Sequence, residues 1–165
     1  MAEELATIYN VDVESTRLAG LLHDIAKEMT EEESLKYVAE NSIAIDDIEK
    51  INVSILHGKI GADIAKKKYG VNEQIQKAIQ YHTETNPNMD TLAKIIYVSD
   101  KIEKNRKSEK FDLEYERNLA KEDIDAAVLF IIDASIKKVI KKGKLLHPTI
   151  VETRNKIIMN KMQQN

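Results

Sequence analysis

The chain has no cysteine among its 165 residues. Without thiols it cannot form disulfides, thiolate nucleophiles, structural Cys zinc sites or Cys-ligated iron–sulfur clusters. Any metal must therefore be held by His and carboxylate. Glycine and proline are also scarce: 5 Gly and 2 Pro make about 4% of the chain, against roughly 12% in average proteins. Tight hairpin turns draw on these residues, so a strand-rich sandwich or barrel is disfavoured. The longest apolar run, Ala126 to Ile132, falls far short of the roughly 20 residues that span a bilayer. The charged N-terminus resembles no signal peptide, and the cytoplasm is the expected location. There is no basic excess either, since 25 Lys+Arg against 28 Asp+Glu leave a net charge of -3. Bulk charge thus argues against a nucleic-acid partner, and the missing apolar span against a membrane.

What is present points to helices. With 42% hydrophobic residues in 18.8 kDa, the chain can remove about two-thirds of its unfolded surface from water. Residues 1–165 are expected to form a single domain, with no internal repeat or linker. Apolar positions recur at helical spacing almost throughout and no segment has a period of two, so the fold class is all-α. The first helix should run to about Tyr9. A second, Val13 to Met29, should bury Leu18, Leu21, Leu22 and Ile25. Thr30 followed by Glu33 is a capping box for a helix through Glu40. Asp46 or Asp47 should cap a short turn, and Val53 to Tyr69 should form a helix ended by Gly70. Asn72 should open the next, through about Thr83, and Met89 to about Lys107 another after the Asn86-Pro87-Asn88 loop. Ser108 to Asn118 reads as a polar connection or single turn. Lys121 to Lys142 should be the longest helix, with Ile136 and Ile140 inward, stopped by Gly143 and followed by a last helix after Pro148.

The residues able to carry chemistry are few. Three of the four His lie in marked surroundings: His23-Asp24, His57-Gly58 and His82-Thr83. Asp24 follows the Leu21-Leu22 pair, and Asp100 follows Ile95, Ile96 and Val98. An unpartnered carboxylate facing a core costs several kcal/mol, so each calls for a cation or a cleft. Imidazole and carboxylate together suit iron, manganese, zinc or nickel better than calcium or magnesium. Two ions about 3.5 to 4 Å apart, sharing a bridging carboxylate, would clamp a phosphate and generate hydroxide at neutral pH. Read one at a time, the same residues are also consistent with hydrogen-bonded histidines at helix junctions and carboxylates on helix surfaces.

Taken together, the order His23-Asp24, His57, His82, Asp100 resembles the metal-dependent HD-domain phosphohydrolases. The stretches LAGLLHDIAKEMT, ILHGKIGADIA, AIQYHTETNPNM, LAKIIYVSDKIEKNR and GKLLHPTIVETRN are similar to the bacterial YqeK-type group, the symmetrical diadenosine tetraphosphate hydrolases. The resemblance covers nearly the whole chain. It implies an all-α HD bundle with a di-metal centre in its core, iron first, with manganese, cobalt, nickel or zinc as alternatives. The implied reaction splits a dinucleoside tetraphosphate into two nucleoside diphosphates by attack of a metal-activated water. Position by position, it implies His23, Asp24, His57, His82 and Asp100 as metal ligands, with Asp24 bridging. Asp24 and Lys27 are the implied catalytic pair. Lys27, His82, Thr83 and Arg106 match residues at the phosphates, and Gly143, Lys144 and His147 lie in a segment matching a loop that receives the nucleoside. Arg suits bidentate phosphate contact better than Lys.

The family pattern opens with one more His, on the first helix, upstream of the segment that matches Met1 to Asn10. Either the natural start lies further upstream, or water completes a site built from His23, Asp24 and Asp100. Two other readings stay open. An HD phosphohydrolase acting on another nucleotide would give other products. A catalytically weak nucleotide-binding module would bind without turnover. Homodimerisation is also left open.

Overall fold

The computed structural model describes residues 1–103 and 113–164, and among these it contains helices and no strand. In chain order they are α1 (Ala2–Ile8), α2 (Val13–Leu22), α3 (Glu31–Glu40), α4 (Asp47–Ile51), a 3-10 turn (Val53–Leu56), α5 (His57–Tyr69), α6 (Glu73–Tyr81), α7 (Thr91–Ile102), α8 (Leu113–Glu122), α9 (Ile124–Lys141) and α10 (Pro148–Gln164). The all-α expectation holds.

Short polar side chains set most of the starts. Asp12, Thr30, Asp46, Asn72, Asp90 and Asp123 each accept a hydrogen bond from an amide in the first turn of the helix that follows, which satisfies donors the helix leaves unpaired. Thr30 and Glu33 form the expected capping box, and Asp46 forms another with Glu49. Gly70 and Gly143 close α5 and α9 at φ of 63° and 61°, a left-handed conformation that costs a residue with a Cβ far more.

Three expectations need correction. The second helix stops at Leu22, not Met29, and residues 23–28 form successive tight turns. Ile25, Lys27 and Met29 donate to the carbonyls of Leu22, Asp24 and Ala26, three residues back. The buried face of α2 is consequently narrower than expected. Leu22 and Ala19 are buried, but Leu21 is 74% exposed, since it lies about 200° around the helix from Ala19. Next, residues 113–118, assigned above to a polar connection, belong to α8, where Ala120 and the carboxylate-bearing Glu116 are buried. A buried Glu hides the apolar face from any hydrophobic periodicity. Finally, the buried positions of α9 end at Ile132, Ile136 is half-buried, and Ile140 is 65% exposed.

Two apolar clusters hold the helices together. The larger centres on α7, which buries Leu92, Ile95, Ile96, Val98 and Ile102 against α6, α9, α1 and α2. The smaller joins Val38 of α3, Val53 and Leu56 of the 3-10 turn, Ile60 of α5, and Ala26. Leu22 belongs to the first cluster and Ala26 to the second. His23 and Asp24 therefore sit where the chain crosses between them. No helix among the described residues is long and apolar enough to cross a membrane.

Candidate metal centre

Each of the three histidines sits at a helix junction. His23 caps the end of α2, His57 links the 3-10 turn to α5, and His82 caps the end of α6. At such ends backbone carbonyls lack amide partners. In all three the ring takes one: Nδ1 lies 2.7 Å from the Gly20 carbonyl in His23, 2.7 Å from Ser54 in His57 and 2.6 Å from Ile79 in His82. A carbonyl only accepts, so Nδ1 carries a proton, and in the neutral ring Nε2 keeps the lone pair. This is how second-layer hydrogen bonds fix the tautomer of a metal-ligating His.

The three Nε2 atoms converge on Asp24. Its Oδ1 is 3.5 Å from His57 Nε2 and 3.4 Å from His82 Nε2, and its Oδ2 is 3.4 Å from His23 Nε2. Asp100, in the last turn of α7, reaches His23 Nε2 at 3.7 Å. His57 and His82 bring their Nε2 atoms to 3.2 Å. With both Nδ1 atoms committed to carbonyls, two lone pairs face each other there in the neutral rings, an opposition that a proton or a cation relieves. The donor set thus fits a divalent ion of borderline softness, since it offers imidazole and carboxylate and no thiolate.

The electrostatics agree. His82 above all, with Lys27 and His23, holds the Asp24 carboxyl well below its ordinary range against the opposing effect of burial. Burial would raise Asp100, but His23 and Lys101 overcome it and keep that carboxyl low as well. Each carboxylate has its own ammonium: Lys27 Nζ lies 2.6 Å from Asp24 Oδ2, and Lys101 Nζ lies 2.6 Å from Asp100 Oδ2. Burial depresses His57, whereas Asp100 raises His23. His23 in the metal-free protein therefore keeps a proton to higher pH than an ordinary His, and a metal must displace it. Affinity for a divalent ion should rise with pH through neutrality and level off once His23 has lost its proton. Competition against a chromophoric chelator from about pH 6 to about pH 8 reads this directly, and a flat profile would contradict it.

A cavity of about 410 Å³ opens beside these residues. Its lining joins His57, Thr83, Lys27 and Lys101 to apolar Ala26, Met29, Val53 and Ile55, with Ser34, Ser54 and Glu31. Such a mixture of apolar wall and convergent polar groups is typical of small-ligand sites. Thr83 also donates to the Ile55 carbonyl at 3.1 Å, pinning the end of α6 to the 3-10 turn.

The sequence-derived candidates divide into three groups. His23, Asp24, Lys27, His57, His82, Thr83 and Asp100 come together. Gly143, Lys144 and His147 do not line the cavity. Arg106 lies outside the described residues. Lys101 escaped the sequence reading, although its position directly after Asp100, as Lys27 lies three after Asp24, was an available signal.

An HD-domain family model matches residues 1–105. The chain belongs to the HD-domain family. Membership brings it into a hydrolase superfamily with a divalent-metal centre, and His23, Asp24 and His82 offer ligand atoms within 4.8 Å of one another. The HD chain is 30% identical to the symmetrical bis(5'-nucleosyl)-tetraphosphatase of Halalkalibacterium halodurans, with 96% of this chain and 83% of that one covered. It is 32% identical to the protein of the same name from Bacillus subtilis, over 95% of this chain and 83% of that one. Among solved structures it is similar to a "predicted HD superfamily hydrolase involved in NAD metabolism" from Clostridium acetobutylicum. That match has a TM-score of 0.92 and 39% identity, and covers 96% of this chain and 84% of the other.

Proposed function

We propose that this HD protein hydrolyses dinucleoside tetraphosphates, diadenosine tetraphosphate among them, symmetrically to two nucleoside diphosphates. The observation that carries the reading is the convergence of three histidine Nε2 atoms on Asp24, beside a cavity that also carries Lys27, Lys101 and Thr83. Relatives bearing that activity in their names, over most of both chains, support it.

His23, His57, His82, Asp24 and Asp100 would hold the metal centre, with Asp24 as the shared carboxylate and iron as the first candidate. When bound, divalent ions supply Lewis-acid charge at the phosphoryl oxygens and lower the pKa of water. The chain's own residues do the rest. Lys27 and Lys101 offset charge that grows on the phosphates as the central bridge breaks, which is worth most when the donors are already in place. Thr83 offers a hydroxyl at the cavity wall, and Arg106 is assigned to the phosphates by its place in the sequence. The apolar residues Ala26, Met29, Val53 and Ile55 exclude water from one side of the substrate and strengthen every polar contact there. Cleavage at the centre of a four-phosphate chain leaves the same diphosphate on each half.

Product analysis tests this. Metal-loaded protein given diadenosine tetraphosphate should release ADP alone. ATP with AMP, or bound nucleotide without turnover, would overturn the reading.

A further inference from the structure

A second cluster of polar side chains lies outside the metal centre, where three distant segments meet. His147, in the turn between α9 and α10, places Nε2 2.6 Å from Asp46 Oδ2, to which it donates, and 2.6 Å from Glu84 Oε1. Its Nδ1 accepts from the Thr149 amide at 3.3 Å and lies 2.8 Å from Thr149 Oγ1. Both ring nitrogens are therefore engaged within the protein. Glu84 Oε1 is buried and accepts no well-aligned hydrogen bond; the His147 N–H lies 2.6 Å from it, and Glu49 with its partner Lys59 also stands beside the Glu84 carboxyl. Glu84 also stands directly after Thr83 and two residues after His82. Asp46 is fixed independently, since its Oδ1 caps α4 through the Ile48 and Glu49 amides.

We infer that Asp46 and Glu84 act as positioning residues. Through His147 they latch the 142–147 segment onto the chain that leaves the metal centre. His147 on this view shapes the nucleotide's surroundings through its carboxylate partners and does not itself contact the nucleoside. The inference rests on the proposed hydrolase reading only for its kinetic consequence, because the latch itself is a contact between named atoms.

Four single variants test it: Asp46→Asn, which keeps the capping Oδ1, Glu84→Ala, His147→Ala and His147→Gln. Breaking the latch should accelerate trypsin cleavage after Lys142 and Lys144. It should also raise KM for diadenosine tetraphosphate about tenfold, the scale of a lost hydrogen bond to a charged group, with kcat and bound metal little changed. Asp46→Asn, Glu84→Ala and His147→Ala should behave alike, and the Glu84→Ala/His147→Ala double variant no worse than either. His147→Gln, whose amide can set a donor near the Nε2 position, should recover much of the loss. A KM rise in His147→Ala without one in Asp46→Asn or Glu84→Ala would overturn the inference, as would independent, additive effects or unchanged trypsin cleavage. If the unaltered protein shows no turnover, the hydrolase reading fails, and the cleavage rates still decide the latch.

Discussion

Asp24→Asn should abolish hydrolysis, lowering kcat by more than about 10³-fold, beyond what loss of one transition-state donor costs. The carboxylate stands within 3.4 to 3.5 Å of three imidazole Nε2 atoms and 2.6 Å from Lys27 Nζ. An amide keeps the shape but loses the charge, and it presents an NH2 to lone pairs that need a cation. The same change should lower metal content, with the three histidines still present but no anion to share. Metal analysis and product release on the same sample check both effects. A variant that keeps full metal and turnover would show that Asp24 is only a structural carboxylate.

Gly58→Ala should be the next most damaging single change, although Gly58 offers no ligand atom. A Cβ there would meet Thr83 Oγ1 at 2.4 Å and the Gln80 carbonyl at 2.7 Å. Gln80 belongs to the backbone of α6 and cannot turn aside, so the start of α5 must move away from the end of α6. His57 and His82 flank that contact, and their 3.2 Å approach is what the shift would open. Metal affinity should fall 10- to 100-fold, roughly the range seen when groups that orient ligands are disturbed. Overpacking should cost about 1 to 3 kcal/mol of stability, partly offset by about 1 kcal/mol of better helix propensity. Gly20→Ala is the matched control. Its Cβ would meet nothing within 4 Å, so α2 should be as stable or slightly more so. Thermal unfolding of metal-stripped protein and metal titration separate the two variants. Equal behaviour would mean that close packing of α5 on α6 does not set the centre.

Three of the candidate ligands were legible locally, His23 beside Asp24 and Asp100 closing an apolar turn, whereas His57 and His82 became candidates only through the order of the motifs. Helix starts were legible locally too, since Thr30, Asn72 and Asp46 cap within three residues of themselves. The end of α2 was not. Apolar periodicity runs on to Met29, while the break at His23 comes from carbonyls satisfied three residues back and by an imidazole. The start of α8 was hidden by a buried Glu116, which reads as surface. The His147 contacts join residues 63 and 101 positions apart in sequence, Glu84 and Asp46. Nothing local marks either partner, so His147 read either as part of a nucleoside-receiving loop or as the entry to the last helix.

The claim that the cluster of three histidines and two aspartates performs the chemistry is tested most directly by metal add-back. Protein stripped with a chelator would be given iron(II) or manganese(II) in steps while ADP release from diadenosine tetraphosphate is followed. The stripped protein should show no turnover, and activity should rise with bound metal until the centre is filled. Undiminished ADP release from protein shown to be metal-free would contradict it.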